Sequence, residues 1–118
     1  MPPNRDPVYL WDILHAARGV VAAVQNLSFL EYVEDENLRL AVERRIEIIG
    51  EAARRLSGGF KEAHPEIPWR RMIDQRNVLI HTYEEVADDR IWELAKVEIP
   101  RLIEQLAEFL PPPPDLAE

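Results

Sequence analysis

Apolar residues recur at spacings of three and four along most of this chain, the period of a helix with one buried face. Leu10, Leu14, Ala17, Val21, Val24 and Ser28 form the first such stripe. Asp6-Pro7 precedes it as an acidic N-cap followed by proline at the first helical position, so the spacing predicts a helix from Asp6 to about Leu30. The acidic stretch Glu31 to Asn37 breaks the pattern. A second stripe, Leu38, Val42, Ile46, Ile49, Ala52, Ala53 and Leu56, predicts a helix from about Glu36 to Leu56, stopped by Ser57-Gly58-Gly59. Gly50 inside it suits close packing. Phe60 to Pro68 reads as a connection with two prolines, in which His64 before Pro65 is a turn residue.

A third helix is predicted from near Ile67-Pro68-Trp69 to about Tyr83, followed by an acidic turn from Glu84 to Asp88. The last helix begins at Asp88 or Asp89 and carries Ile91, Trp92, Ala95, Leu102, Ile103, Leu106 and Phe109. Pro100 predicts a kink or two abutting helices. Pro111 to Pro114 stops the helix, leaving a tail at 111–118 with no order expected. No alternating run or hairpin turn competes. The expected fold is all-α: an antiparallel bundle of four to five helices, one domain over 1–118 with its ordered core at about 6–110.

Charge and composition narrow the chemistry. There are no cysteines, which excludes disulfides and thiolate metal sites. His15, His64 and His81 fall on separate elements without metal-ligand spacing, so no metal or other cofactor is expected. His15 reads as a surface histidine. No apolar leader or membrane-length run occurs, and a soluble, cytoplasmic protein without membrane contact is the expectation. The net charge of −8 argues against general nucleic-acid binding. The charge is uneven, however. Residues 39–76 hold nine basic and six acidic residues, whereas 1–38 and 77–118 are net acidic. The middle third is the only phosphate-facing candidate, and it ends at Arg76. Arg44, Arg54 and Arg55 read as solvated helix-surface charges. Glu47 and Glu51, off the apolar stripe, are solvated or partner an arginine across the bundle.

The third helix carries the candidate chemistry in Arg76-Asn77-Val78-Leu79-Ile80-His81-Thr82-Tyr83. At about 100° per residue, Arg76 shares a stripe with Trp69, Met72, Ile73, Leu79, Ile80 and Tyr83. A guanidinium in an apolar stripe has to be paired or meet an anion, so a structural salt bridge and a phosphate contact both fit. Asn77 and His81, four apart, project together to one side. RNA carries its own nucleophile, the 2′-hydroxyl. Cutting it without metal needs a base, an acid and positive charge on the phosphate, roles open to histidine and arginine. Asn77 can orient the imidazole or bind phosphate. Arg76 and His81 diverge by about 140° on one helix, and one histidine must serve two proton transfers; both difficulties ease if two copies face each other.

The pattern Arg-x-x-x-x-His-x-Tyr, with Asn77 after the arginine, resembles the HepT-like ribonuclease toxins of the HEPN superfamily, found in HEPN/MNT toxin–antitoxin pairs. Arg45-Ile46-Glu47-Ile48-Ile49-Gly50-Glu51-Ala52-Ala53 is similar to the family's second-helix signature, and His64-Pro65-Glu66-Ile67-Pro68-Trp69-Arg70 to its pre-motif turn. The likeness runs from about Val8 to Leu110. Asp74-Gln75 departs from the small and apolar residues usual before the motif. The resemblance implies a metal-independent endoribonuclease of a type VII-like system, with Arg76, Asn77 and His81 catalytic in a composite cleft at a homodimer interface. It implies RNA as substrate and a minimal nucleotidyltransferase of the MNT type as antitoxin, which adds AMP to Tyr83. The alternative is a non-catalytic HEPN module that binds a nucleotidyltransferase or nucleotides, a reading the acidic balance favours.

Overall fold

A computed structural model describes residues 4–81, 88–108 and 110–112, with side chains described except at 76–81. The elements in order are α1 (Asp6–Val24), α2 (Phe29–Glu34), α3 (Glu36–Arg55), α4 (Gly58–Ala63), α5 (Trp69–His81), α6 (Asp88–Glu93), a π-helical turn at Leu94–Glu98, and α7 (Ile99–Ala107). The described residues contain no strand. The all-α helical bundle expected from periodicity is what forms: α1, α3, α5 and the α6–α7 run make its long rods, and α2 and α4 are single-turn links.

α1 packs along α3, α3 along α5, and α7 back on α1. The core is the sum of the apolar stripes, with Leu10, Ile13, Ala17, Val20, Tyr32, Val42, Ala53 and Leu106 almost or wholly removed from water. Burying a leucine, isoleucine or valine here contributes about 1.5–3 kcal/mol each. The Arg45 guanidinium lies over Gly19, and a Cβ there would make this flexible side chain swing aside. No described helix is long and apolar enough to cross a membrane.

Three boundaries differ from expectation. The first helix ends at Val24 rather than near Leu30. Asn26 takes φ 64°, a left-handed conformation that asparagine tolerates better than most residues. Ser28 then starts α2 with a capping box: its Oγ accepts from the Glu31 amide at 3.1 Å, and its own amide donates to the Glu31 carboxylate at 2.9 Å. Lys96 Nζ donates to the Val24 carbonyl at 2.9 Å, a cation on the C-terminal end of α1. Glu31 to Glu34 is therefore helix, and only Asp35, the N-cap of α3, interrupts it.

Second, Gly58-Gly59 opens a helix instead of ending one. Ser57 Oγ accepts from the Phe60 amide at 3.1 Å and caps α4. Asp6, expected as the N-cap of α1, instead accepts from the Ser57 amide and hydroxyl at 2.9 and 2.7 Å, tying the starts of α1 and α4 together. Third, the interruption attributed to Pro100 lies before it. The Ile99 amide reaches back five residues to the Leu94 carbonyl. This wide turn places Pro100 in the first turn of α7, where its missing N–H costs nothing. After α7, the Pro111 carbonyl accepts from Trp11 Nε1 at 3.0 Å, so the first prolines are strapped to α1. Residues 113–118 and the predicted turn over 84–87 lie outside the described residues.

Candidate active site

α5 carries the motif, and its start is pinned from several sides. Phe60 of α4 stacks on His64 at 4.6 Å and meets Trp69 edge-on at 5.9 Å. Trp69 Nε1 donates to the His64 carbonyl at 3.0 Å, and the Met72 amide to the Pro68 carbonyl at 3.2 Å. Gln105 Nε2 donates to the Glu66 carbonyl at 3.2 Å, fastening the preceding turn to α7. His64 is thus a turn residue, as expected, and His15 is exposed on α1. Arg71 pairs with Glu98 of the π-helical turn at 2.9 Å.

α5 runs antiparallel to α3. Its first residue lies beside α4, whose Lys61 Nζ donates to the Ala53 carbonyl near the C-terminal end of α3. Farther along, Met72 and Gln75 share a cavity of about 40 Å³ with Ile46, Ile49, Leu94, Ile99 and Leu102. Gln75 is the one buried polar residue among those described, 6% exposed. Periodicity gave no reason to place it there. It sits one residue before the motif, between α3 and the π-helical turn, and Asp74 beside it is exposed.

The helix is continuous from Trp69 to His81, so Arg76, Asn77 and His81 are held on one rod. In its register, position 76 follows Trp69, Met72 and Ile73, which are buried or half-buried, by seven, four and three residues. Positions 77 and 81 follow exposed Arg70 by seven and eleven residues and exposed Asp74 by three and seven. The backbone therefore separates position 76 from positions 77 and 81 around the helix, as the spacing predicts. The side chains of these three residues, and Tyr83 altogether, lie outside the described residues. No group of histidines and carboxylates able to hold a metal ion occurs among the described residues.

A polar cluster that the sequence reading missed lies toward the N-terminal end of α3, the end to which α5 runs. Tyr32 of α2 is 0% exposed and tilts against Trp92 at 5.4 Å. Its hydroxyl and Arg39 Nε have no hydrogen-bond partner among the described residues. Burial, then the charges of Glu43 and Asp88, push the Tyr32 phenol well above the usual tyrosine range. Burial and then Asp88 also raise Glu43, against the opposing charge of Arg39. The only signal for this cluster was the Arg39–Glu43 spacing of four on α3. Glu47 and Glu51, by contrast, pair on their own helix, with Arg44 at 3.1 Å and with Arg55 at 2.9 Å.

Residues 13–109 match the family model described as Ribonuclease HepT-like. The chain is 39% identical over 94 residues to "Probable ribonuclease HepT" of Thermococcus cleftensis, covering 80% of this chain and 86% of that protein. It is 39% identical over 102 residues to a provisionally named RNase of Caldanaerobacter subterraneus subsp. tengcongensis, covering 86% and 91%. A third relative, also provisionally named an RNase, from Methanocaldococcus jannaschii, is 35% identical over 94 residues, covering 80% and 86%. No solved structure matches. The match spans α1 to α7 and includes the whole of the motif helix, and on that extent the chain belongs to the HepT-like ribonuclease family.

Proposed function

We propose that this chain is a metal-independent endoribonuclease, the toxin of an HEPN/MNT pair, with Arg76, Asn77 and His81 as its catalytic set. The observation that carries the reading is the continuous helix Trp69–His81, which holds all three residues in a member of a ribonuclease family. Cleavage proceeds by attack of the 2′-oxygen on the adjacent phosphorus. The P–O2′ bond forms, the P–O5′ bond breaks, and the products are a 2′,3′-cyclic phosphate and a 5′-hydroxyl. With two copies facing, one His81 takes the 2′-hydroxyl proton and the other gives a proton to the leaving 5′-oxygen, and the Arg76 guanidinium compensates the charge gathering on the phosphate oxygens. Asn77 orients the imidazole or binds phosphate.

Register supports a twofold assembly. Positions 76 and 81 are about 140° apart on one helix, so facing copies combine the arginine of one with the histidine of the other. Silencing is by a minimal nucleotidyltransferase of the MNT type. The Tyr83 oxygen attacks the α-phosphate of ATP, pyrophosphate leaves, and the AMP brings negative charge beside the RNA-binding arginine.

The test uses the full chain with RNA. Arg76→Ala and His81→Ala each abolish cleavage with helix content intact, and the wild type cuts in the presence of chelator, leaving cyclic phosphate ends. Wild-type activity in His81→Ala, or cutting that chelator stops, overturns the mechanism. Tyr83→Phe stays active but escapes AMP addition, read by intact mass. A wild type that binds its nucleotidyltransferase and never cuts RNA establishes the non-catalytic module instead.

A further inference from the structure

A second feature of α5 bears on how RNA reaches the motif. At its first turn a surface groove is lined by Lys61 of α4, the segment Pro65, Ile67 and Pro68, and Trp69, Arg70 and Ile73. Its lining is apolar apart from two cations, a combination suited to a nucleotide, with a flat apolar base and an anionic phosphate. Lys61 is already committed in part, since its Nζ donates to the Ala53 carbonyl at 3.1 Å. Arg70 is exposed and has no hydrogen bond or ion pair among the described residues, whereas its neighbour Arg71 is held by Glu98 at 2.9 Å.

Register connects the groove to the motif. Positions 77 and 81 lie seven and eleven residues beyond Arg70, on the same stripe of one continuous helix. At 1.5 Å per residue, Arg70 and His81 are about 16 Å apart along the axis. A single strand laid along this stripe meets the groove a few nucleotides from His81.

We propose that the Lys61–Arg70 groove is a flanking subsite for single-stranded RNA, with Arg70 binding a backbone phosphate of the strand that His81 acts on. The inference rests on the ribonuclease reading above, but its test does not. Arg70 is a positioning residue and touches no reacting atom. An arginine on a phosphate adds affinity and salt dependence without base preference.

The experiment measures binding of the full chain to labelled 2′-O-methyl RNA, which lacks the nucleophile and cannot be cut by this route, across a series of salt concentrations. Loss of one phosphate contact lowers the slope of log affinity against log salt by about 0.7 for a single strand. The expected result for Arg70→Gln, which keeps the stem and its packing, is that fall in slope with about tenfold weaker binding at the lowest salt. Arg70→Lys retains most of the slope, and Arg101→Ala, an exposed arginine on α7, matches the wild type. With cleavable RNA, Arg70→Gln raises KM and leaves kcat within about twofold. An unchanged slope in Arg70→Gln overturns the subsite. So does an equal loss in Arg101→Ala, which marks nonspecific charge. Arg70-dependent binding by a wild type that never cuts RNA upholds the subsite and overturns only the cleavage reading.

Discussion

Tyr32→Phe is expected to stabilise this protein. Tyr32 is fully buried, and its hydroxyl finds no hydrogen-bond partner among the described residues. Burying an unpaired hydroxyl costs about 1–3 kcal/mol relative to leaving it in water. Phenylalanine removes that cost and keeps the ring, so the contact with Trp92 at 5.4 Å survives, as does the edge contact of Phe29 with the same indole at 5.9 Å. The void left by one oxygen offsets part of the gain, leaving about 1 kcal/mol. With unfolding entropy near 2.1 cal/mol/K per residue, that is a rise in Tm of about 4 °C for a chain of 118 residues. Urea unfolding of both proteins at one concentration reads the difference directly, with an unchanged m-value showing that the unfolded state is the same. The hydroxyl also sits near Glu43 and Asp88, whose charges join burial in suppressing its ionisation. Any hydrogen bond it does make would therefore come from the neutral phenol. A midpoint that falls in Tyr32→Phe, by the equivalent of more than about 0.5 kcal/mol, refutes the reasoning and shows that the hydroxyl is bonded in solution.

Three further outcomes are expected at Glu43, Leu106 and Asp6. Glu43 is held above the usual carboxylate range by burial and by Asp88, so its contribution to stability is complete below the unfolded pKa and is lost as pH rises through the folded value. Glu43→Gln should therefore be the more stable protein at pH 7, and the advantage should vanish below about pH 4; a lower urea midpoint for the variant at pH 7 contradicts this. Leu106→Ala, at a fully buried position of α7, should cost about 2–5 kcal/mol, and a loss under about 1 kcal/mol would mean that the contact is not made in solution. Asp6→Ala loses both bonds to Ser57 and should cost about 1 kcal/mol at this exposed junction, with thermal melts equal to wild type counting against the link.

Periodicity alone located the long helices, because a stripe of apolar residues every three or four positions has one stable solution, burial of that stripe against another. α3 is the clearest case: its stripe predicted Glu36 to Leu56, and it runs from Glu36 to Arg55. The family likeness was legible for a related reason. It lies in side-chain types at fixed spacing, on the motif helix, on α3 and in the turn between them. What the pattern could not resolve were choices between two locally acceptable conformations. Ser28 continues the α1 stripe and made the helix look as if it ran to about Leu30, yet the Ser28–Glu31 capping box and the left-handed Asn26 start a new helix. Gly58-Gly59 reads as a stop, and Ser57 makes it a start. Pro100 announced an interruption but not that it would be spread over Leu94–Glu98 as a π-helical turn.

The polar residues brought together from distant parts of the chain were beyond the sequence. Arg39 and Glu43 could be linked as neighbours on α3, but Tyr32 and Asp88 join them only because α2 and α6 pack together. Gln75 is buried because α3 and the π-helical turn close over it, and Lys61 and Arg70 line one groove because α4 lies beside the first turn of α5. Helical period fixes which residues share a face. Which faces meet depends on how the rods cross, and that is settled by the packing of the whole core rather than by any one stretch of chain.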